Sequence, residues 1–457
     1  MYAFTKENDK HRLDYNQLKS IFFSFIVFSY LVCTLIFFYK ASFLPVVQKH
    51  WGLIRGWDGS HYYFWARSLL FDHDINFKND LLFYNNLPLT DRQTLLSQTL
   101  TQAGLYPNKY SIGWSIFTIP AFGLGYIFLI LFKIIGHQYQ ADGYTFPFQL
   151  SIGITHLFYG YLSIFLLYKT LVTKTENKNI AIASAVLAWM ASPLTFYQTA
   201  DLTMSHNVTF LSLISLFYYT QKIENSNNIN NRGFLLIGII SSLLILCRPQ
   251  ACIYLLYPLT IIFKSPGRKI YKTFYFFLPL IIFGAIQFIL YYQLNGTLTL
   301  YSYKGETFNF SAPNLFLYLF DSFHGAFYWH PLLLLSIITT PWVLKKENDK
   351  TLITCLIISV FINIYINASW HSWWFGASFG QRALEGTLIL QAIALAYFIQ
   401  SSNSFIRVYI SSLCLILVVW NLNLTCLVIK GVLPLNQAVN YESMIKISKS
   451  YWVEKLR

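Results

Sequence analysis

The chain has 457 residues, of which 55% are hydrophobic, 19% aromatic and only 11% charged, with a mean hydropathy of +0.45. So few charges cannot cover the surface of a soluble globule, which excludes an ordinary soluble protein. The formal net charge of +14 does not indicate nucleic acid as a partner, because Lys and Arg gather in short loops between apolar runs and form no continuous basic face.

Apolar stretches of about 20 residues, the length that spans a bilayer, begin near Ser20 and recur to Lys430. The expected fold is an all-α polytopic membrane protein. It has one transmembrane domain over 1–430, a large first external loop over 45–110 and a short basic tail over 431–457. The first apolar run follows Lys6, Lys10, Arg12 and Lys19. It is long and lacks a small-residue cleavage signature, so it reads as a retained helix and not as a removed signal peptide.

Hydrophobic periodicity predicts helices over 20–44, 111–135, 147–171, 179–197, 203–221, 233–264 (bent or paired), 271–292, 328–344, 351–369, 378–400 and 404–430, or eleven to twelve spans. The N-terminus and the loops with Lys169/Lys174/Lys178, Lys264/Arg268/Lys269/Lys272 and Lys345/Lys346/Lys350 are expected to be cytoplasmic. Segments 45–110, 195–206, 293–327 and 370–382 then share the opposite side. Two plain crossings between 111 and 171 would put the Lys169–Lys178 loop on the wrong side, so either something in that stretch re-enters or the number of crossings is off by one. Pro120, Gly123 and Gly125 mark the first candidate for a break and Pro249 the second. Asn225 to Asn231 form an Asn-rich loop, and no internal repeat is visible.

The 45–110 loop holds Asp58, Asp72, Asp74, Asp80 and Asp91, five of the nineteen acidic residues. Tyr62 to Phe71, aromatic and apolar around Arg67, suits a helix lying in the membrane interface with its ring edges at headgroup level. Asp58, in Gly56-Trp57-Asp58-Gly59-Ser60-His61-Tyr62-Tyr63, would then sit at the bilayer surface as a general base. Capping of the following helix is the competing role. Asp72 and Asp74, flanking His73, can hold a divalent cation or simply face water.

Three further segments carry cations. Lys109, in Leu105-Tyr106-Pro107-Asn108-Lys109-Tyr110, can neutralise a lipid phosphate or snorkel to the interface. Arg248, in Cys247-Arg248-Pro249-Gln250 between apolar stretches, needs a ligand or a structural ion pair. Trp370-His371-Ser372-Trp373-Trp374-Phe375-Gly376 through Gly380-Gln381-Arg382 combines flat rings for a sugar or lipid with a fixed cation. Ser192 to Tyr197, Asp201, Ser205 and His206 lie at the turn of a helical hairpin. Glu306, Asp321, His324 and His330 add polar groups on the same side. Cys33, Cys247, Cys252, Cys355, Cys414 and Cys426 lie in apolar runs without metal-ligand spacing and read as small core residues. Sequons at Asn207, Asn309, Asn367 and Asn423 lie in or near apolar or aromatic segments and are read as unmodified.

In order from Asp58 to Arg382, these segments resemble the GT-C superfamily of membrane glycosyltransferases. The nearest likeness is to bacterial relatives of the dolichyl-phosphate-mannose protein mannosyltransferases and of the aminoarabinose lipid A transferase. The residues that carry it are Asp58, His61-Tyr62 and Ala66-Arg67-Ser68-Leu69-Leu70 with Asp72 and Asp74; Tyr106-Pro107-Asn108-Lys109-Tyr110-Ser111; Arg248-Pro249-Gln250; Gly325 with His330-Pro331; and Trp373-Trp374-Phe375-Gly376 through Gly380-Gln381-Arg382. Two departures stand out: Gly59 follows Asp58 where the family has an Asp-Glu pair, and Ser111-Ile112 replaces Pro-Pro.

The resemblance implies a GT-C-like bundle with interfacial helices in its first external loop. It implies inverting transfer of one monosaccharide from a polyprenyl-phosphate carrier to a lipid, glycan or protein acceptor at the external face of a bacterial inner membrane. Asp58 would be the base, and Lys109, Arg248 and Arg382 would bind the donor phosphate. His61, Tyr62, Arg67 and Tyr106 would touch substrate, as would His206, Trp373 and Trp374. Apart from the resemblance, a divalent metal at Asp72 and Asp74 is the candidate cofactor. A ligase or polymerase of lipid-linked glycans, and a transporter or flippase, are the alternatives. A transporter is expected to show inverted repeats and ionisable groups within several helices.

Overall fold

The computed structural model describes residues 53–54, 57–85, 96–175, 177–226, 231–299, 301–303, 305–346 and 350–456, together with Ser24, Val27 and Phe28 of the first apolar run. The rest of the predicted 20–44 helix, Asp91 and residues 227–230 of the Asn-rich loop lie outside the described residues. The described chain is helical, with one isolated bridge between Phe308 and Trp370. Five helices are long and apolar enough to cross a membrane by themselves: Gly113–Ile134, Phe146–Thr175, Lys269–Asn295, Lys350–Ser369 and Ser404–Ile429. This is a helical membrane protein.

The segment before the long apolar helices forms α1 (Trp57–Arg67), a π-helical turn (Ser68–Asp72) and α2 (Lys78–Asn85). Then come α3 (Gly113–Ile134), α4 (Phe146–Thr175), α5 (Lys178–Met190), α6 (Leu194–Thr199), α7 (His206–Glu224) and α8 (Asn231–Cys247). A 3-10 helix (Pro249–Leu255) leads into α9 (Leu256–Lys264) and α10 (Lys269–Asn295). The remaining helices are α11 (Leu315–Phe320), α12 (Ala326–Trp329), α13 (Leu332–Lys346), α14 (Lys350–Ser369), α15 (Glu385–Ser401), α16 (Ser404–Ile429) and α17 (Tyr441–Leu456).

Local chemistry sets several boundaries. The Asn177 side chain caps α5 by accepting from the Asn179 and Ile180 N–H groups, and Asn403 does the same for Ile406 in α16. Gly296, at φ 73°, ends α10 in the left-handed conformation that a side chain disfavours. The predicted 233–264 segment does bend at Pro249, where Arg248 turns extended and a 3-10 helix starts. Pro193 likewise divides the predicted 179–197 helix.

Side-chain pairs give the direction of each helix. His156 and Thr173 of α4 meet Asn207 and Gln221 of α7, so those two run parallel. Phe234 and Gly238 of α8 meet Lys272 and Phe276 of α10, so these are parallel as well. Thr351 and Asn363 of α14 meet Lys264 and Tyr254, so α14 runs against the 3-10/α9 segment. The Lys174–Lys178, Lys264–Lys269 and Lys346–Lys350 connections consequently share one end of the bundle, and Gly113, His206, Cys247, Ser369 and Glu385 share the other.

The helix expected to break between 111 and 135 does not. α3 is one continuous 22-residue helix through Pro120. Its Trp114 and Thr118 contact His156, while Phe132 contacts Phe146, so it packs antiparallel on the first part of α4 only. α3 therefore leaves the Asp58 end away from the basic loops, and the chain passes from that end to the basic end once between 111 and 175. The misplaced Lys169–Lys178 loop is resolved by direction, not by a kink.

One other expectation changes. Tyr63, Phe64 and Trp65 are fully buried in protein, so α1 does not lay its ring edges along a headgroup layer. The 431–457 tail carries α17, whose Met444 packs with Leu424, Leu427, Trp329 and Phe379. Of the cysteines described, Cys252 is exposed, Cys426 is half-buried, and Cys247, Cys355 and Cys414 are buried.

Candidate functional site

Asp58 lies in the first turn of α1, and its carboxylate turns away from that helix. Oδ1 accepts from the Tyr110 hydroxyl at 2.6 Å and Oδ2 from Arg382 Nη2 at 2.9 Å. Both oxygens are thus tied to distant segments instead of capping α1. A Cβ on Gly59 would lie 2.4 Å from Thr203 Oγ1, so α1 packs closely on the 201–205 turn and a side chain there would have to displace Thr203.

The 106–111 segment is fastened to its neighbours through backbone groups. Asn108 Nδ2 donates to the His61 carbonyl at 2.8 Å, and Trp65 Nε1 to that of Tyr110 at 2.7 Å. Tyr291 and Ser302 hydroxyls both donate to the Lys109 carbonyl, at 3.0 and 2.6 Å. The Lys109 ammonium pairs with Glu306 and lies 4.9 Å from the Tyr303 ring centre. Neither role first considered for Lys109, free phosphate ligand or snorkel, includes this partner.

Arg248 has a structural partner. Its Nη2 donates to His206 Nε2 at 2.7 Å, and His206 Nδ1 donates to Glu385 Oε1 at 2.8 Å. Arg248 Nε is 3.6 Å from the same Glu385 oxygen and makes no hydrogen bond. The guanidinium fixes the imidazole as the neutral Nδ1–H tautomer, the one form that accepts from arginine while donating to a carboxylate. His206 is therefore a spacer between two charges.

Burial alone would raise the Asp58 carboxyl. Arg382, the Tyr110 hydroxyl, Lys109 and Arg248 more than offset that and hold it below the ordinary carboxylate range. Three cations thus act on Asp58, and each already has a carboxylate: Arg382 with Asp58, Lys109 with Glu306, Arg248 with Glu385. Three buried polar atoms here make no hydrogen bond, namely Arg382 Nε, Arg248 Nε and Glu306 Oε2. Two guanidinium N–H groups with unused donor capacity beside one carboxylate suit an anionic group.

His61 and Tyr62 belong to this cluster. His61 Nδ1 donates to the Trp57 carbonyl at 2.7 Å and its ring stacks on Trp57; burial lowers it to about 4, so it is neutral at neutral pH. The Tyr62 hydroxyl meets Ser205 Oγ at 3.2 Å, and its ring packs on Tyr110.

Other expected members are placed elsewhere. Arg67, at the far end of α1, pairs with Asp72, stands 3.6 Å from Asp80 and donates to the Asp142 carbonyl at 3.1 Å. Tyr106 is half-buried against the apolar core. Trp373 and Trp374 meet edge to face; their carbonyls accept from Gln381 and His324. They brace the loop in which Phe375, Gly376 and Gly380 take positive φ and return the chain so that Arg382 faces Asp58. Asp72 also accepts from Asn79 at 2.7 Å, and Asp74 from the Asn76 N–H. Among the described residues no three His, Cys, Asp or Glu side chains gather as a metal site.

Tyr110 and Glu385 carry the site and were not singled out from the sequence. Glu385 left a signal, being an acid at the front of an apolar run and so in need of a partner. Tyr110 left none. Comparison with family models, with curated proteins and with solved structures finds no match to this chain.

Proposed function

We propose that this protein is an inverting membrane glycosyltransferase that moves a monosaccharide from a polyprenyl-phosphate donor to an acceptor hydroxyl at the external face of a bacterial inner membrane. One observation carries this reading: Asp58 meets Arg382 at 2.9 Å across 324 residues of sequence, with Lys109 and Arg248 acting on the same carboxylate. A base beside a set of cations, at the bundle end away from the basic loops, is what phosphate displacement by a hydroxyl requires.

In the reaction the acceptor oxygen forms a bond to the anomeric carbon. The bond from that carbon to the phosphate oxygen breaks, and its electron pair stays on the phosphate. The hydroxyl proton goes to Asp58 and later to solvent. Arg382, Arg248 and Lys109 face the charge that grows on the leaving phosphate.

The test is mass spectrometry of lipids co-purified with wild type and Asp58→Asn. A polyprenyl-phosphate sugar, enriched in the variant, is expected. A pyrophosphate-linked oligosaccharide would favour the ligase reading instead.

A further inference from the structure

The Asp58–Arg382 pair opposes the role proposed for each partner. With both oxygens occupied, by Tyr110 at 2.6 Å and Arg382 at 2.9 Å, Asp58 is a poor proton acceptor. Arg382 is poorly satisfied in return: Nε makes no hydrogen bond, and Nη1 has only the Met204 sulfur, at 4.0 Å. Met204 and the Phe375 ring, 5.9 Å from the guanidinium carbon, are soft neighbours that do not lock the fork in place. Tyr110 donates from a different element, so it can keep Asp58 in position when the arginine leaves.

We propose that Arg382 is an exchange ligand: a lipid-borne phosphate takes its guanidinium from Asp58, and that release turns Asp58 into the base. This rests on the reading of a polyprenyl phosphate as the donor. A carboxylate oxygen and a phosphate oxygen compete for the same planar fork, and the phosphate gains as its charge grows during bond breaking. The proton therefore reaches Asp58 as the positive field moves from Asp58 to the leaving group. The charged and titratable groups facing Asp58 are Arg382 from the 370–384 loop, Lys109 and Tyr110 from the 106–111 segment, Arg248 from the end of α8, His61 and Tyr62 of α1, and Tyr303. Lys109 and Arg248 keep their own carboxylates, so Arg382 is the cation whose movement changes Asp58. The coupling keeps Asp58 from acting as a base until the donor is seated.

The experiment uses decaprenyl phosphate, a probe of the same class as the proposed leaving group, with decaprenol as the control. A structure of the wild type with decaprenyl phosphate is expected to show Arg382 on the phosphate and Asp58 still held by Tyr110, with the 2.9 Å pair broken. In binding measurements Asp58→Asn, checked for folding by thermal unfolding, is expected to hold decaprenyl phosphate roughly tenfold tighter than wild type, because no carboxylate competes for Arg382. An intact Asp58–Arg382 pair beside a bound phosphate, or equal affinity in the two proteins, overturns the exchange and leaves the donor class standing. Decaprenyl phosphate retained no better than decaprenol by either protein overturns the donor class, and the exchange with it.

Discussion

Two aspartates of the same loop show how the identity of a neighbour decides what a carboxylate does. Asp58 is held below the ordinary carboxylate range by the cations around it. Asp80 is fully buried, and burial raises it to about 6 despite the Tyr144 and Ser68 hydroxyls and Arg67. The stability consequences have opposite signs. Asp58 contributes stability that is present above about pH 4 and lost as pH falls through its lower folded value. Asp80 binds its proton more tightly when folded, so its contribution is full below about pH 4 and is lost as pH rises through about 6. Thermal unfolding from pH 4 to 7 is expected to show wild type losing up to about 3 kcal/mol relative to Asp80→Asn over that window. A constant difference between the two proteins across the window would refute the assignment. Asp58 stands out in the sequence because of its motif. Asp80 has no such mark, because only the fold brings Tyr144 and Arg67 to it.

At the scale of elements, the start of α3 is set by contact with the end of α8. A Cβ on Gly113 would lie 2.3 Å from the Cys247 nitrogen and the Leu246 carbonyl carbon, which are backbone atoms that cannot rotate aside. The Ser111 hydroxyl donates to the Leu246 carbonyl at the same junction, and Gln287 accepts from the Ile112 N–H at 2.8 Å. This close approach brings Lys109 and Tyr110 to the end of α8, where Arg248 emerges. A Cβ on Gly123, in the same helix, would meet nothing within 4 Å. Gly113→Ala is therefore expected to lower stability by about 1–3 kcal/mol, and Gly123→Ala to be neutral or stabilising by up to about 1 kcal/mol. Thermal unfolding of the two variants in detergent checks this, and equal effects would contradict the packing at the junction. The apolar periodicity of α3 was legible in the sequence, but its direction was not. Periodicity reports which face is apolar, whereas direction depends on contacts with His156 and Leu246, far along the chain.

For the whole molecule, the basic loops at one end and the Asp58 cluster at the other fix a testable sidedness. Lys346 lies in a basic connection, Lys133 ends α3, and Lys446 lies on α17; all three are exposed. The packing puts Lys133 and Lys446 at the Asp58 end. If α3 simply crossed the bundle, Lys133 would instead join Lys346. With the six native cysteines replaced, Lys133→Cys and Lys446→Cys are expected to react with an impermeant maleimide in intact spheroplasts. Lys346→Cys is expected to react only after permeabilisation. Labelling of position 133 together with 346 would return α3 to a plain crossing.

Composition and periodicity by themselves determined that the chain is a helical membrane protein, where most helices lie, that the chain bends at Pro249, and which segments hold Asp58, Lys109, Arg248 and Arg382. Those properties are local: each depends on residues within a few turns of one another, and the cost of burying charge in an apolar medium makes them visible. The tertiary structure alone decided that Tyr110 and Arg382 share Asp58, that Glu385 holds Arg248 through His206, that Arg67 belongs to another cluster, and that α3 does not recross the bundle. Each of these is a contact between residues tens to hundreds of positions apart. Such contacts arise from which helices pack side by side, and no local pattern encodes that choice.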